Sequence, residues 1–475
     1  MTVVLGGGIS GLSAAYYALN NPKIGPITVL EASNRLGGWI RSYELSNGII
    51  FEKGPRTIRC LGSAGKNTLN LLEDLQLTNK LIPIKSDHPS AKNRMIYSRN
   101  KLHLLPNSFL SIFKTNSLLN RSLASFLIKD LIAPMVRKDD ESIHSFITRR
   151  IGKDIADYLV SPMICGICAG DAQKISVNFL MKSLFEAEQK HGSIIKGLFK
   201  ELFKKQDVNN MTEYKSNLVK KADAEKWVVW GLKGGLEELP RSLGNNLQTQ
   251  GVDIQLNSHC EKLFFQSDHV ELTINGKAKK YSHVISSLPA KILAKLLEEQ
   301  YPDLAEQLKA IPMVTVAVVN LQFADNVLPI NAFGFLVPPG ENLPILGVIF
   351  DSCIFPKNSS TVLTVMMGGA WFEKYFGKDP SDEDLLNIAI KQVKEILNIK
   401  KEPIAFNVAI LKDCIPQHVV GHAQRLNHIH DYISSRRIPL ALCGSSYQGV
   451  GINDVILSAK EAVSKIVKHS NELKN

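Results

Sequence analysis

The chain begins with an apolar run that leads directly into a glycine-rich turn. Val3-Val4-Leu5 suits a buried parallel strand, and Gly6-Gly7-Gly8-Ile9-Ser10-Gly11 follows at once, before a helical pattern starts. In this setting Gly6 permits a tight turn, Gly8 lets backbone N–H groups reach a pyrophosphate, and Gly11 lets helix and strand pack closely. The order of strand, glycine turn and helix predicts an α/β fold with a Rossmann-like dinucleotide site.

A second strand completes this motif. Ile27-Thr28-Val29-Leu30 ends in Glu31, twenty residues after Gly11, where a carboxylate accepts hydrogen bonds from ribose hydroxyls. The next segment, Ala32-Ser33-Asn34-Arg35-Leu36-Gly37-Gly38-Trp39, resembles the R-x-G-G segment of flavin amine oxidases, protoporphyrinogen oxidases and carotenoid desaturases. The resemblance implies FAD rather than NAD, with Arg35 offsetting phosphate charge. A surface cation is the alternative interpretation of Arg35.

The C-terminal part of the chain carries a matching segment. The apolar strand Pro439–Cys443 runs into the glycine-rich turn Gly444–Gly451 and then into a helical pattern that starts at Ile452. In the superfamily that the chain resembles, this helix points its N-terminus at the isoalloxazine and ribityl region, where its partial positive charge stabilises the anionic reduced flavin. A third segment, Trp230–Pro240, predicts a glycine turn followed by a helix with Leu236 and Leu239 turned inward.

The resemblance implies a non-covalent FAD held by residues from several distant segments. Backbone groups of His259 and Cys260 are expected near the adenine, and Arg56 is expected on the cofactor side or shaping the pocket. The predicted cofactor-binding residues are Gly6, Gly7, Gly8, Ile9, Ser10, Gly11, Glu31, Ala32, Arg35, Gly38, Trp39, Gly54, Pro55, Arg56, Thr57, His259, Cys260, Gly444, Val450, Gly451 and Ile452. No metal site is predicted.

Because the cofactor motifs are far apart in sequence, the cofactor domain is predicted to be discontinuous. The predicted domains are an FAD-binding domain (1–58, 226–298 and 404–475), a mixed-sheet substrate-binding domain (59–95 and 299–403) and a helical membrane-associated domain with a linker (96–225). Strands such as Val314–Val319 and Thr361–Met366 are typical of a sheet that covers a flavin face.

Within the helical part, apolar residues between Ile194 and Phe203 fall on one face among lysines. This pattern indicates a basic amphipathic helix, which either lies on a membrane or packs its apolar face on its own domain. The polar stretch 206–222 predicts a linker or an exposed loop. The most apolar long stretch, 118–136, is interrupted by three charged residues, so no membrane-spanning helix is predicted.

Composition limits the partners. The 56 Lys and Arg residues against 45 Asp and Glu residues give a net charge of +11, which suits phospholipid headgroups or an anionic substrate, or is simply a solvated basic surface. Without a zinc-finger or RNA-binding motif, nucleic acid is not expected. Seven scattered cysteines predict unpaired thiols, and Cys165-Gly-Ile-Cys168 lacks the context of a redox-active dithiol. Because a strand is predicted from Thr2, no N-terminal targeting segment is expected.

Three further segments narrow the resemblance. They are Phe51–Arg56, Asp87–Arg94 and Asn331–Pro338, and the chain resembles the eukaryotic protoporphyrinogen oxidases over essentially its whole length. The resemblance implies oxidation of protoporphyrinogen IX to protoporphyrin IX in haem biosynthesis, with hydride transfer to flavin N5, O2 as electron acceptor and H2O2 as product. It also implies a homodimer, contact with ferrochelatase and peripheral attachment to the intermembrane-space side of the mitochondrial inner membrane.

The implied substrate is a large apolar ring with two propionates, so a flat apolar pocket with a cationic anchor is expected. Arg94 is the candidate anchor, because a guanidinium pairs with a carboxylate through two hydrogen bonds. Gly334 is expected to leave space for the ring, and no residue is assigned as general base. The predicted apolar walls are Met163, Phe333, Gly334, Leu336, Val348 and Met366.

Two other functions remain open from the sequence. A flavin amine oxidase would share the cofactor motifs, but its monoamine branch attaches FAD through a cysteine where this chain has Ser446-Tyr447. A catalytically silent FAD-bound membrane or assembly protein would keep the same motifs, although the intact Arg94 segment argues against it. Bleaching of the flavin by protoporphyrinogen without oxygen distinguishes these cases.

Overall fold

The structure is a computed structural model that describes residues 1–107, 115–119, 121–204, 216–355 and 360–472. The chain divides into two compact units. Unit 1 contains the described residues of Met1–Pro83, Lys215–Pro312 and Gln424–Asn475, and unit 2 contains those of Ile84–Tyr214 and Met313–Ala423.

Strands occur in both units. In chain order they are β1 (Thr2–Leu5), β2 (Ile27–Leu30), β3 (Ser42–Glu44), β4 (Ile50–Glu52), β5 (Ile58–Arg59), β6 (Leu81–Lys85), β7 (Met95–Ser98), β8 (Lys101–Leu104), β9 (Thr115–Asn116), β10 (Arg121–Ser122), β11 (Trp227–Leu232), β12 (Asp253–Gln255), β13 (Cys260–Phe265), β14 (Val270–Ile274), β15 (Lys277–Tyr281), β16 (His283–Ser286), β17 (Met313–Phe323), β18 (Gly334–Leu336), β19 (Ile345–Phe350), β20 (Thr361–Gly369), β21 (Ala405–Pro416) and β22 (Leu440–Leu442).

Helices are also distributed over both units. In chain order they are α1 (Ile9–Leu19), α2 (Gly62–Asp74), α3 (Pro89–Lys92), α4 (Leu123–Ile132), α5 (Ile143–Arg150), α6 (Lys153–Ile155), α7 (Ser161–Cys168), α8 (Val177–Leu180), α9 (Lys182–His191), α10 (Ile194–Lys204), α11 (Asn217–Ala224), α12 (Glu238–Thr249), α13 (Ala290–Leu297), α14 (Pro302–Lys309), α15 (Asp351–Ile354), α16 (Phe372–Phe376), α17 (Asp382–Leu397), α18 (His422–Ser435) and α19 (Ile452–Glu472).

The central sheet of unit 1 is parallel and has the strand order β12-β2-β1-β16-β22. Its strands β1 and β2 are buried along their whole length, which explains why their sequences are continuous apolar runs rather than alternating patterns. Helix α1 starts at Ile9, directly after the glycine turn. The predicted arrangement of strand, turn and helix is therefore confirmed.

Unit 2 contains a mixed sheet with the strand order β21-β17-β20-β19-β18-β7-β8. The pair β18 and β7 is parallel, whereas its other strand pairs are antiparallel. One face packs on α17 through a core that includes Val319, Phe335 and Val365, and the other face packs on α7 through Cys165 and Ala169. The predicted strands Val314–Val319 and Thr361–Met366 lie inside β17 and β20 and are confirmed.

Ion pairs join the helices of unit 2. Arg150, which is completely buried, donates from Nε to Oδ1 of Asp130 at 2.8 Å and so links α5 to α4. The other oxygen of Asp130 accepts hydrogen bonds from Ser193 Oγ at 2.6 Å and from the Ile195 N–H at 3.0 Å, at the start of α10. Burial raises the pKa of Asp130, but these hydrogen bonds outweigh it and hold the pKa below its usual value. Asp130 therefore fixes α4 and α10 relative to each other.

The units differ from the predicted domains in five places, because strand pairing assigns segments that composition does not. Two of these segments belong to unit 1: 216–225, predicted within the membrane-associated domain and linker, and 299–312, predicted within the substrate-binding domain. Strand β21, predicted within the FAD-binding domain, pairs with β17 in unit 2. Residues 59–83, predicted within the substrate-binding domain, belong to unit 1. The described helices of 96–204 are part of unit 2 rather than a separate unit.

The basic amphipathic segment is helical, as predicted, and forms α10. The lysine that follows it, Lys205, lies outside the described residues. The predicted linker 206–222 differs in part, since 217–222 is helical as part of α11 and 206–215 lies outside the described residues. In the described ranges, no helix combines the length and the apolar character needed to cross a bilayer.

Candidate functional site

The glycines of the turn that follows β1 have two different roles. The backbone conformation and packing of the chain require Gly6 and Gly11, whereas Gly8 leaves space for a ligand. Gly6 has φ +100°, and a Cβ on Gly11 would overlap the carbonyl oxygen of Gly6. A Cβ on Gly8 would meet only the Cα of Gly38, at 3.8 Å. The backbone around Gly8 thus forms an open cradle at the N-terminus of α1. This cradle fits a pyrophosphate, which N–H groups and the helix dipole both favour there.

Glu31 lies at the end of β2, as predicted, and stabilises the glycine turn. Its Oε2 accepts a hydrogen bond from the Gly7 N–H at 2.7 Å, while its Oε1 accepts from the N–H and the hydroxyl of Ser33 at 2.8 and 2.7 Å. Since each carboxylate oxygen can accept two hydrogen bonds, Oε2 keeps one position for a ribose hydroxyl. Glu31 can therefore shape the turn and bind a nucleotide at the same time.

Arg35 binds the loop that contains Gly38. Its Nη1 donates to the carbonyl oxygens of Leu36 at 2.9 Å and Ile40 at 3.3 Å, and its Nη2 donates to the carbonyl oxygen of Gly38. Burial lowers the pKa of Arg35, and nearby Glu237 opposes that shift. The side chain thus holds the loop beside Gly8. The sequence suggested either an offset to phosphate charge or a surface cation, and neither interpretation included this role.

The C-terminal glycine turn lies at the same edge of the parallel sheet as the first. Gly444 follows β22 with φ +108°, and a Cβ on it would lie 3.4 Å from Ser10 Oγ in the first turn of α1. Its N–H donates to Ser458 Oγ at 3.1 Å, which attaches the turn to α19. Because dinucleotides bind at the carboxyl ends of parallel strands, both turns belong to one cofactor site.

The segment Gly54–Thr57 is attached to this site by two contacts. A Cβ on Gly54 would overlap the carbonyl oxygen of Trp39, so only glycine fits beside the loop that Arg35 holds. Directly after Thr57, strand β5 receives a hydrogen bond from Asn453 Nδ2 of α19 to the Arg59 carbonyl oxygen at 2.8 Å. Arg56 itself is buried, as expected for a residue that shapes a pocket.

The expected adenine contacts through His259 and Cys260 are less direct. The His259 N–H donates to Asn275 Oδ1 at 3.2 Å, and its carbonyl oxygen accepts from the Asn275 N–H. Cys260 begins β13, and burial raises the pKa of its thiol to about 12. The backbone groups of His259 already have protein partners, so a contact between them and adenine remains a prediction.

Sequence reasoning missed a buried carboxylate that joins three cofactor segments. Glu52 accepts hydrogen bonds from the Leu236 N–H at 2.6 Å and from Ser42 Oγ at 2.8 Å. It thereby fixes the glycine turn of the third segment, where Gly234 and Gly235 have positive φ, as a turn requires. Leu236 and Leu239 are buried as predicted, although α12 begins only at Glu238. The segment Phe51-Glu52-Lys53, in which a carboxylate is followed by a lysine, gave little indication of this role.

Leu336 and Met366, two of the predicted substrate residues, lie on the α7 face of the unit 2 sheet, and a third, Met163, is on α7 itself. Leu336 on β18 points away from the core residues Phe335 and Val337, and a Cβ on Gly166 of α7 would lie 2.9 Å from its side chain. Met366 of β20 packs on the same face, and Met163 lies one turn before Gly166 on α7. These partly buried side chains form an apolar surface within unit 2.

Arg94 and Phe333 form a second part of the predicted substrate site. The Arg94 guanidinium carbon lies 5.7 Å from the centre of the Phe333 ring, within cation–π range. The Phe333 N–H donates to the carbonyl oxygen of Asn93 at 3.0 Å, so the backbone also joins the two segments. Arg94 is exposed.

Two of the expected pocket residues are placed differently. A Cβ on Gly334 would overlap the Val348 carbonyl oxygen, so its glycine is explained by the close approach of β19 and not by space for a ring. Val348 is completely buried in the core that packs on α17, on the sheet face opposite Leu336. Successive strand residues point to opposite faces, and the sequence alone did not assign these faces.

The seven cysteines are free thiols, and six of them are buried. Burial raises the pKa of Cys168 to about 12, and it also raises that of Cys165. Thiols that stay protonated are poor nucleophiles, so the Cys165–Cys168 pair is structural. In the described ranges, no cluster of His, Cys, Asp and Glu has the composition of a metal site.

Comparisons with known proteins agree with this geometry. The family model described as flavin containing amine oxidoreductase matches residues 9–467. Protoporphyrinogen oxidase of Bos taurus is 36% identical over 472 residues, covering 98% of both chains. Coproporphyrinogen III oxidase of Bacillus subtilis is 28% identical, covering 97% of both chains. Among solved structures, a putative protoporphyrinogen oxidase from Exiguobacterium sp. 255-15 has a TM-score of 0.79 at 24% identity, covering 98% of both chains.

Proposed function

Because this chain belongs to the flavin containing amine oxidoreductase family, with FAD as its cofactor, we propose that it oxidises protoporphyrinogen IX to protoporphyrin IX in porphyrin biosynthesis. The observation that carries the proposal is the match over 98% of both chains to a relative named for that reaction. A match of this extent includes the cofactor unit and the unit that contains Arg94, and not the shared FAD motifs alone.

The chemistry of unit 2 supports this class of substrate. A porphyrinogen combines a large apolar ring system with carboxylates on its rim. The apolar surface of Met163, Leu336 and Met366 suits the ring, and the exposed guanidinium of Arg94 beside Phe333 suits a propionate. The net charge of +11 also favours an anionic substrate over a polyamine.

In the proposed reaction, FAD held in the cofactor site of unit 1 would supply the acceptor for a hydride from a carbon of the porphyrinogen. The chain positions the two partners: the Gly8 cradle and Glu31 hold the dinucleotide, and Arg94 orients the substrate through its carboxylate. Three two-electron oxidations convert the substrate to the porphyrin, and we propose that each consumes one O2 and releases one H2O2. No side chain is assigned as general base, so the proton from each step is assigned to solvent.

We propose that the protein lies on the intermembrane-space side of the mitochondrial inner membrane, attached peripherally by α4 and α10. On α4, Ile128 and Ile132 are 62% and 77% exposed, and on α10 Phe199 is 59% exposed. Lys129 of α4 and Lys196 and Lys200 of α10 accompany them. Apolar side chains among lysines favour an anionic lipid surface. Flotation with anionic liposomes, compared between the wild type and Ile128→Glu, tests this proposal.

Two further parts of the proposal concern partners. We propose a homodimer and a contact with ferrochelatase, both of which rest on the resemblance to eukaryotic protoporphyrinogen oxidases. Sedimentation equilibrium of the detergent-solubilised protein tests the first, because a mass near twice 52.6 kDa is expected. Binding of purified ferrochelatase, measured by interferometry, tests the second.

The central experiment is an aerobic assay with protoporphyrinogen IX that follows porphyrin fluorescence and peroxide together, against a control without enzyme. An enzyme-dependent rise of both signals supports the proposal. Coproporphyrinogen III and a primary amine are assayed in parallel, because relatives act on the first and other flavin amine oxidases act on the second. If either compound is oxidised faster than protoporphyrinogen IX, that compound becomes the proposed substrate. A flavin that no porphyrinogen bleaches without oxygen would indicate a silent FAD protein.

A further inference from the structure

The first turn of α19 contains an acidic residue that sequence reasoning did not single out. Helix α19 begins at Ile452, directly after the glycine turn that shares the carboxyl edge of the parallel sheet with Gly6–Gly8. Asn453 and Ser458 attach this helix start to β5 and to Gly444. The remaining polar residue of the first turn is Asp454. Its side chain therefore lies beside Gly451 and Ile452, two of the predicted cofactor-binding residues.

Asp454 and the glycines before it fit each other closely. Oδ2 of Asp454 accepts a hydrogen bond from the Gly451 N–H at 3.2 Å. A Cβ on Gly449 would lie 2.6 Å from the Cβ of Asp454 and 2.8 Å from its Oδ2, so a side chain at 449 is incompatible with this position of the carboxylate. An acidic side chain that reaches back to the N–H before the helix is one half of a capping box. The carboxylate is thus held at the helix N-terminus.

This position changes the electrostatics of the helix start. The N-terminus of a helix carries a partial charge of about +0.5. An ionised carboxylate in the first turn adds a full negative charge, so their sum is about −0.5. The sequence analysis expected this helix to stabilise an anionic reduced flavin. That expectation included the helix dipole but not the carboxylate of Asp454. Neighbouring atoms shield the carboxylate from water and so raise the pKa of Asp454, although the residue as a whole is exposed.

We propose that Asp454 is a positioning residue that holds the glycine turn in place and, through its negative charge, lowers the reduction potential of the flavin. The negative charge disfavours the anionic reduced flavin and so favours return of its electrons to an acceptor. This inference rests on the FAD site of unit 1. The proposed oxidase function is needed only to explain why a lower flavin potential would benefit the enzyme.

The competing explanation is that Asp454 is only a helix cap. Asparagine at 454 separates the two, because its side-chain oxygen still accepts the Gly451 N–H while the charge is lost. A cap would leave the potential of the bound flavin unchanged after this substitution. A charge acting on the flavin would raise the potential.

The test is an anaerobic redox titration of the FAD-loaded protein with a reference dye at pH 8. For Asp454→Asn we expect about a tenfold higher ratio of reduced to oxidised flavin at a given potential, which is a shift of about +30 mV for a two-electron couple. The matched control is Glu461→Gln, which removes an exposed charge from the same helix about 10 Å further along. Its potential should equal that of the wild type.

Equal potentials for Asp454→Asn and the wild type would overturn the proposal. A second variant, Asp454→Ser, keeps a short hydrogen-bond acceptor without charge and should show the same positive shift. Loss of FAD by both variants would also overturn the proposal, since it would assign Asp454 to binding alone. The titration contains no porphyrinogen, so its outcome is independent of the proposed substrate.

Discussion

The cofactor site of unit 1 and the predicted substrate surface of unit 2 are built in different ways. In unit 1, glycines at 6, 8 and 11 let the backbone itself form the binding surface, and side chains such as Glu31 and Arg35 hold that backbone in shape. In unit 2, the surface consists of side chains from α7, β18 and β20, carried by an ordinary mixed sheet. The backbone of unit 1 is specific to a dinucleotide, whereas in the proposed function the side chains of unit 2 select the substrate.

This difference predicts that substitutions in the two units separate cofactor binding, stability and substrate recognition. The largest effect is expected for Gly8→Val. A Cβ there meets no protein atom closer than 3.8 Å, so the chain should fold, but the side chain fills the space that the pyrophosphate needs. We expect FAD affinity to fall by at least about 1,000-fold, or about 4 kcal/mol.

Fluorescence titration of the apoprotein with FAD measures this change. Gly25→Val is the matched control, because a Cβ on Gly25 meets only the N-terminal nitrogen, at 3.8 Å, and Gly25 is far in sequence from the turn. A Gly8→Val protein that retains FAD at wild-type affinity would mean that the pyrophosphate does not occupy this cradle.

The next effect is expected for Arg150→Met, which should destabilise unit 2 by about 3–5 kcal/mol, because it leaves the buried carboxylate of Asp130 without its cation. Hydrogen exchange followed by mass spectrometry should show faster exchange in α4, α5 and α10 but not in the parallel sheet of unit 1. Lys153→Met removes the exposed pair with Asp157 and should change stability by less than about 1 kcal/mol. Equal effects of the two variants would show that burial of the pair is unimportant.

Arg94→Ala should weaken substrate binding while leaving FAD bound. The loss of a charge-assisted pair with a carboxylate is worth about 1.5–3 kcal/mol, which corresponds to a rise in KM of about 10–100-fold. Steady-state kinetics with protoporphyrinogen IX measure KM, and the flavin absorbance of the purified variant measures FAD content. Arg94→Lys should recover part of the affinity. Loss of flavin in parallel with activity would remove Arg94 from the substrate site.

A smaller effect should distinguish the two faces of the unit 2 sheet. Val348→Ala should lower stability by about 2 kcal/mol without changing KM, because Val348 lies in the core that packs on α17. Met366→Ala on the α7 face should change KM severalfold with less effect on stability. Thermal unfolding and steady-state kinetics on both variants provide the comparison. A larger KM change for Val348→Ala would restore the original assignment of Val348 to the pocket.

The smallest expected effect is a loss of thermal stability at low pH. The pKa values of Asp130, Glu141 and Glu188 are lowered in the folded protein: burial raises each of them, but hydrogen bonds with Arg150, Arg149 and other donors outweigh burial. Groups with lowered folded pKa values contribute stability above their unfolded pKa of about 4, and that stability is lost as pH falls through the folded values. The melting temperature should therefore fall below about pH 4, and it should fall less in Arg150→Met.

The two units also differ in how much the sequence could predict. The strand, glycine turn and helix at the N-terminus, the acidic residue at 31 and the turn at 444 follow from local spacing, because backbone conformations that require glycine appear directly in sequence. The burial of Val348 and the close approach of β19 to Gly334 depend on strand pairing between distant residues, which local spacing does not show. The contribution of Asp454 was detectable in principle, since Gly451-Ile-Asn-Asp454 has the spacing of a capping box.

The parallel sheet of unit 1 brings together strands from three distant parts of the chain, with β1 beside β16 and β16 beside β22. Pairings between residues some 280 positions apart close a long loop, which costs entropy that the contacts of the sheet must offset. The cofactor site is complete only when the segment from Leu440 onward has joined the sheet. Retention of FAD is therefore a measure of whether the distant segments of unit 1 have assembled, and a damaged C-terminal segment should yield a colourless protein.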